Sequence, residues 1–113
     1  MKTITTSADN WSGKDIEVNV YAPKGKRQEF EVHGNRFLMV TKDHWQDEEL
    51  GMGCQTINVF PTDRKDLIES NVPSIVVRKW DDENQWEATM DLRFGRSHED
   101  PVLAAAKVVA STY

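Results

Sequence analysis

Residues 86–112 read WEATMDLRFGRSHEDPVLAAAKVVAST, and this stretch decides the fold. From Trp86 to Phe94, apolar and polar residues alternate, which predicts a β-strand with one buried face. Asp100 can cap a helix, and proline suits the first helical position, so a helix is predicted from Pro101 to about Thr112. Because Lys107 is its only charged residue, most of this helix should pack against the sheet. The predicted strand-to-helix contacts involve Leu92, Phe94, Leu103 and Ala106.

The earlier part of the chain predicts further strands and short connections. The predicted strands are Asp15–Ala22, Glu29–His33, Arg36–Thr41, Cys54–Phe60 and Ser74–Trp80, and Lys2–Thr6 is a candidate for one more short strand. Asp43–Leu50 predicts a helical turn or an acidic loop, and Thr62–Ser70 predicts one or two helical turns capped by Thr62. Asp81–Gln85 joins the last two strands as a hairpin connection. The sequence thus predicts an α+β fold, with an antiparallel sheet of five to six strands and a C-terminal helix packed on one face.

A hairpin turn is predicted at Gly34-Asn35. Glycine accepts a positive φ without steric cost, and asparagine tolerates it better than most residues. This turn places Val32 opposite Phe37. It also places Phe30 opposite Met39, so apolar side chains share one face of the hairpin.

The composition is that of a single folded domain over residues 1–113. Hydrophobic residues make up 38% and charged residues 29%, and four Trp with four Phe argue against disorder. Near the start there is no apolar run of the length that a secretory signal or a membrane span requires. The one cysteine, Cys54, cannot form an internal disulfide, which agrees with a reducing compartment. We therefore expect a location in the cytoplasm of some cell.

The net charge of −5 is unevenly distributed along the chain. Seven basic against five acidic residues give +2 for residues 1–42, and seven against fourteen give −7 for residues 43–113. A general nucleic-acid binder would carry the opposite sign. We therefore expect a protein partner, with neither a membrane nor direct contact with nucleic acid.

Eight of the nineteen acidic residues lie in two short runs, and these runs form the predicted partner-binding surface. Trp45 lies among acids in a segment with little else to bury it, which is typical of an interface anchor. Two alternatives stay open: the runs are solvated turns, or Trp45 folds back over the sheet edge. The predicted partner-binding residues are Asp43, Trp45, Asp47, Glu48, Glu49, Asp81, Asp82, Glu83 and Glu87.

No catalytic residue, metal ligand or cofactor site is predicted. A nucleophilic Cys54 would need a histidine within hydrogen-bond reach, and a small buried hydrophobe is the simpler interpretation. His44 and His98 each have acidic neighbours, but neither has recognisable metal-ligand spacing. The basic cluster Lys24–Arg27 lacks a phosphate-binding pattern, so it predicts a solvated hairpin tip.

The segment Ser97–Ala106 reads SHEDPVLAAA, an Asp-Pro step that opens an alanine-rich final helix after an antiparallel sheet. It resembles several families of small phage-encoded accessory proteins, including some type I anti-CRISPR inhibitors. The resemblance covers about a tenth of the chain and brings no site residues with it. It implies a protein of a phage or mobile element that inhibits a host defence complex by direct binding.

Three functions of different classes remain open at this point. The favoured one is a non-enzymatic acidic binding protein that inhibits a nucleic-acid-handling host complex. The second is a small enzyme or ligand-binding domain whose site is not visible in the sequence. The third is a structural protein that self-associates through an open sheet edge.

Overall fold

The computed structural model describes residues 1–7, 14–90, 93–97 and 100–112. In these residues, nine strands and two helices follow one another along the chain. The strands are β1 (Lys2–Ser7), β2 (Asp15–Val20), β3 (Arg27–Val32), β4 (Asn35–Thr41), β5 (Trp45–Asp47), β6 (Met52–Pro61), β7 (Ile75–Trp80), β8 (Trp86–Met90) and β9 (Arg93–Ser97). The helices are α1 (Lys65–Glu69) and α2 (Pro101–Thr112).

All the described strands belong to one antiparallel sheet. Its order is β1-β2-β3-β4-β6-β7-β8-β9, so neighbours in the sheet are also neighbours in the chain except where β5 intervenes. β5 pairs with the first residues of β6, on the same side of β6 as β4. The α+β class and the C-terminal helix agree with the prediction.

Helix α2 lies on the concave face of this sheet. It contacts β7, β8 and β9 near one end of the sheet and also β2 and β3 near the other. A flat sheet could not bring both ends to one helix, so the sheet curls around α2. The helix is buried almost all round, as its near-absence of charge predicts. Its buried residues are Val102, Leu103, Ala104, Ala105, Ala106, Val108 and Val109.

The start of α2 is fixed as the sequence predicts. Asp100 Oδ1 accepts a hydrogen bond of 2.7 Å from the amide of Val102, one of the amides without a partner inside the helix. Lys107 extends from the helix and donates to the carbonyl oxygen of Arg96 at 2.9 Å. Trp86 is half-buried against the core, in agreement with its predicted position.

The prediction of one strand over Trp86–Phe94 is wrong. β8 ends at Met90 and β9 begins at Arg93, and these two residues pair in an antiparallel ladder. Alternation along the chain does not distinguish one long strand from two short strands in a hairpin. Leu92 and the side chain of Phe94 lie outside the described residues, so their predicted contacts with α2 are not described.

The hairpin turn between β3 and β4 lies one residue earlier than predicted, at His33 and Gly34. Both have positive φ, 53° and 79°, which is the requirement of a type I′ turn. Phe30 therefore pairs with Phe37 rather than with Met39. Because the register differs by two residues, each side chain keeps its predicted face, and the two phenylalanine rings stack at 5.4 Å.

Two shorter elements also differ from the predictions. Asp43–Leu50 contains strand β5 rather than a helical turn or a loop alone. The predicted helix Thr62–Ser70 is reduced to α1, and its N-cap residue, Arg64, makes no side-chain capping bond. Thr62 instead donates its hydroxyl to the carbonyl oxygen of Arg36. With β5 and the β8–β9 division, the sheet has more strands than the predicted five to six.

Candidate protein-binding surface

The two acidic runs lie on either side of the first residues of β6. β5 pairs with β6 through Trp45 and Cys54, and β6 pairs with β7 through Cys54 and Trp80. The amide of Asp81, directly after β7, donates to the carbonyl oxygen of Gly53 at 3.0 Å. The start of β6 therefore holds residues 43–49 on one side and residues 81–87 on the other.

A β-bulge determines which face of the sheet Trp45 occupies. Thr41 pairs with Ile57 and Trp45 pairs with Cys54, so four steps along β4 and β5 match three steps along β6. The extra residue reverses the alternation between β4 and β5. Ile57 belongs to the core beside α2, whereas Trp45 and Cys54 lie on the opposite, convex face of the sheet.

Exposed apolar side chains gather just after this bulge. Trp45 is 51% exposed, Leu50 71% and Met52 36%, and they lie in the β5–β6 hairpin. In the described part of the chain, only Met1 and Val72 are further large hydrophobic residues with comparable exposure. Single exposed apolar residues are ordinary, but a group of them rimmed by polar residues is typical of an interaction site. We call Trp45, Leu50, Met52 and the half-buried Trp80 the Trp45 surface.

The indoles of Trp45 and Trp80 flank Cys54 and meet in an edge-to-face arrangement. Their ring centroids are 6.2 Å apart, and the ring planes are inclined at 79°. Cys54 is only 3% exposed, and its Sγ lies 3.6 Å from its neighbour's carbonyl oxygen. The thiol thus packs as the small buried hydrophobe that the sequence suggests.

The Trp45 surface includes a cleft of about 220 Å³. Its walls combine the four residues of that surface with three carboxylates from both acidic runs. These carboxylates belong to Asp47, Asp82 and Glu83. A second, wider depression of about 610 Å³ adjoins it and shares two of them. That depression is lined by Asp81, Asp82, Glu83, Asn84, Gln85, Glu87 and Arg96.

Some of the predicted carboxylates are held by partners within the chain. Asp47 Oδ1 accepts the amide hydrogens of Glu49 and Leu50 at 2.9 and 3.2 Å, which fixes the turn between β5 and β6. Arg96 pairs with Glu87 at 3.0 Å. The remaining two pairs are Lys26 with Asp43, and His44 with Asp81.

The contact between His44 and Asp81 joins the two acidic runs across Gly53. His44 Nε2 lies 2.9 Å from Asp81 Oδ1, and both side chains are exposed. A Cβ atom at Gly53 would overlap both of them, so the absence of a side chain there makes the contact possible.

The Lys26 ammonium lowers the pKa of the Asp43 carboxyl, mainly through its hydrogen bond and secondly through charge attraction.

Within the described ranges, no ion pair involves Glu48, Glu49, Asp82 or Glu83. All four are exposed at the rim of the Trp45 surface or in the turn beside it. Their negative charge is therefore available to an outside cation.

The structure brings most of the predicted binding residues together. Trp45 and Asp47 share the cleft with Asp82 and Glu83, while Glu48 and Glu49 occupy the adjoining turn. Asp81 and Glu87 line the adjoining depression, and Asp43 lies beside Lys26. Leu50, Met52 and Trp80 were not among the predicted binding residues. A signal for two of them exists, because the apolar residues Leu50 and Met52 flank Gly51 in a glycine-containing turn that follows Trp45 closely.

Comparison of the chain with protein-family models, with curated proteins and with solved structures gives no match. Among the described residues, no three His, Cys, Asp or Glu side chains converge as a metal site would require. None of the helices in the described ranges is long and apolar enough to cross a bilayer.

Proposed function

We propose that this chain is a non-enzymatic binding protein that attaches to a basic surface of a protein partner through the Trp45 surface and its acidic rim. One observation carries the proposal: three of the exposed large hydrophobic side chains gather beside Trp80, and both acidic runs surround them. An apolar centre with a charged rim is the usual arrangement of a protein interface. The acid rim selects a partner of positive charge.

We further propose that the partner is a nucleic-acid-handling complex of a host cell, and that the chain acts as an inhibitor encoded by a phage or mobile element. A groove that binds phosphates is lined by Lys and Arg, so a dense row of carboxylates is complementary to it. Covering such a groove would exclude its nucleic acid. The anti-CRISPR resemblance of the final helix supports this narrower form of the proposal.

The test begins with affinity purification from the native host and identification of the retained complex. Binding to that complex is then measured for the parent chain and for the triple variant Asp47→Lys, Glu48→Lys, Glu49→Lys. We expect weaker binding, mainly through a slower association rate, because exposed charges act chiefly on the encounter. Parent binding should also weaken as salt rises, since the screening length is about 10 Å at 0.1 M.

A matched control variant separates the effect of charge at residues 47–49 from the effect of the net charge of the whole chain. The variant Asp63→Lys, Asp66→Lys, Glu69→Lys makes the same change in net charge around α1, which follows the opposite end of β6. It should bind like the parent once its association rate is corrected for net charge. If the triple variant at residues 47–49 binds as tightly as the parent at low salt, those residues are a solvated turn and the proposal fails.

A second variant tests the apolar centre. Trp45→Ala should weaken binding by about 2 kcal/mol if the ring acts as an anchor. Because Trp45 is half exposed, the domain should remain folded, which circular dichroism and thermal unfolding would check. A folded Trp45→Ala variant with unchanged affinity would remove the Trp45 surface from the interface.

A further inference from the structure

We propose that the cleft lined by Trp45 and Trp80 is a binding site for one organic cation, the guanidinium or ammonium group of a single side chain. The cation would be a side chain of the basic partner, so this inference rests on the proposed function. The faces of indole rings carry negative electrostatic potential, and cations bind over them. Here two such rings stand nearly perpendicular, at 79°, and form a corner rather than a flat platform.

The charge of the cleft favours a cation over an apolar occupant. Three carboxylates line it, and no Lys, Arg or His is among its described lining residues. Asp47 is held in place by its bonds to the turn amides, and these bonds leave its negative charge uncompensated. Asp82 and Glu83 make no ion pair in the described part of the chain. An apolar side chain alone would leave these carboxylates without a counter-charge.

The size of the cleft indicates a side chain rather than a larger ligand. Its volume of about 220 Å³ is below the range of pockets that hold drug-sized molecules. A guanidinium or ammonium group with its aliphatic stem needs less room. Leu50 and Met52 also line the cleft, so the stem has an apolar surface to cover while its charged end meets the indoles.

Elsewhere in the molecule, a cationic side chain of the chain itself lies over an aromatic ring. The guanidinium of Arg36 lies 3.9 Å from the ring centre of Tyr21. At the Trp45–Trp80 corner, the described lining residues include both tryptophans and three acids but no such cation. A bare metal ion is a poorer match, because indoles offer it no ligand atom and carboxylate oxygens would have to supply the coordination.

The test uses the full chain labelled with ¹⁵N and follows the indole N–H signals by NMR. The probes are N-acetyl-arginine amide, N-acetyl-lysine amide, N-acetyl-trimethyl-lysine amide and the neutral isostere N-acetyl-citrulline amide. We expect saturable shifts of the Trp45 and Trp80 signals with the cations, at a Kd on the order of 1–10 mM for a single side chain. Citrulline should give none, and the signal of the half-buried Trp86 should not move.

Paired variants measure the contribution of the carboxylates. Asp82→Asn with Glu83→Gln should weaken cation binding about five- to tenfold, since each removed charge lies at the cleft. The control Asp63→Asn with Glu69→Gln makes the same change in net charge at an exposed site elsewhere and should have no such effect. Substitution of Trp45 by alanine should abolish saturation. The relative affinities of the three cations decide whether the site prefers guanidinium, primary ammonium or quaternary ammonium.

The outcomes separate this inference from the proposed function. Equal shifts with citrulline, or no saturation with any cation, would overturn the cation site. The proposed function would then still stand if Trp45→Ala weakened binding of the partner complex. If the cations bind and the charge-reversed variants still bind the partner like the parent, the cation site stands and the proposed function fails.

Discussion

The absence of a side chain at Gly95 sets how closely β9 approaches α2. A Cβ atom there would overlap the carbonyl oxygen of Ala104, a backbone atom that cannot rotate away. We expect Gly95→Ala to lower the free energy of unfolding by about 1–3 kcal/mol, as overpacking does in a filled core. Urea denaturation measures this change.

Gly53 provides the matched control for that substitution. A Cβ atom at Gly53 would overlap the side chains of His44 and Asp81, which are exposed and can move. Gly53→Ala should therefore cost less than Gly95→Ala, although it breaks the contact between the two acidic runs. Equal losses from the two substitutions would contradict the close approach of β9 and α2.

The pair formed by Lys26 and Asp43 makes a prediction about pH. Lys26 holds the pKa of the Asp43 carboxyl below its ordinary value of 3.8. Because the folded-state pKa is the lower one, the stabilisation is present above the unfolded-state pKa and is lost as pH falls through the folded-state value. We expect Lys26→Met to raise this pKa toward 3.8, as measured by NMR titration of the carboxyl. An unchanged midpoint would mean that the pair is not populated in solution.

At the scale of single elements, a substitution in the β3–β4 turn should stabilise the domain. His33 holds a positive φ of 53° at the first position of a type I′ turn, where asparagine is preferred. His33→Asn should raise the free energy of unfolding by about 0.5 kcal/mol, since asparagine tolerates this backbone at lower cost. As a control, Gly34→Ala should lower it, because φ is 79° at that position. A loss of stability in His33→Asn would contradict the turn type.

Elements with regular alternation were predictable, and those whose alternation changes were not. β2, β3, β4 and β7 present buried residues at every second position, so their patterns identify them. β5 was missed because it has three residues and follows a bulge that reverses the faces after Thr41. A sequence pattern describes residues along one strand, whereas a bulge is a difference in the number of residues between two paired strands.

At the scale of the whole molecule, α2 is the centre of one continuous core. Leu103 is buried there among the apolar residues of the sheet. Leu103→Asp should abolish most of the stability, because an unpaired buried carboxylate costs several kcal/mol and a domain of this size has about 5–15 kcal/mol in total. The exposed Ser111 on the same helix gives the control, and Ser111→Asp should shift the melting temperature little. A melting temperature unchanged by Leu103→Asp would reject the enclosed helix.

The composition of the candidate site was partly predictable, but its assembly was not. Charge density and an unburied tryptophan indicated residues 43–49 and 81–87 from the sequence. Their adjacency depends on the pairing of β6 with both β5 and β7, which relates residues far apart in the chain. Trp80 could not be assigned to the site from the sequence. It meets Trp45 across Cys54, and Trp45 lies on β5, a strand that the sequence did not predict.

The enclosure of α2 by the sheet has a consequence for the order of folding. Most strand pairs join neighbours in the chain and can form early from local contacts. Contacts of α2 with β2 and β3 join residues far apart in the chain, so we expect docking of the helix to be the slow step of folding. During synthesis on the ribosome, we therefore expect the concave face of the sheet to stay uncovered until α2 has left the exit tunnel. In that interval, residues that α2 covers in the folded domain, such as Val18, Phe30 and Val32, would be open to chaperones.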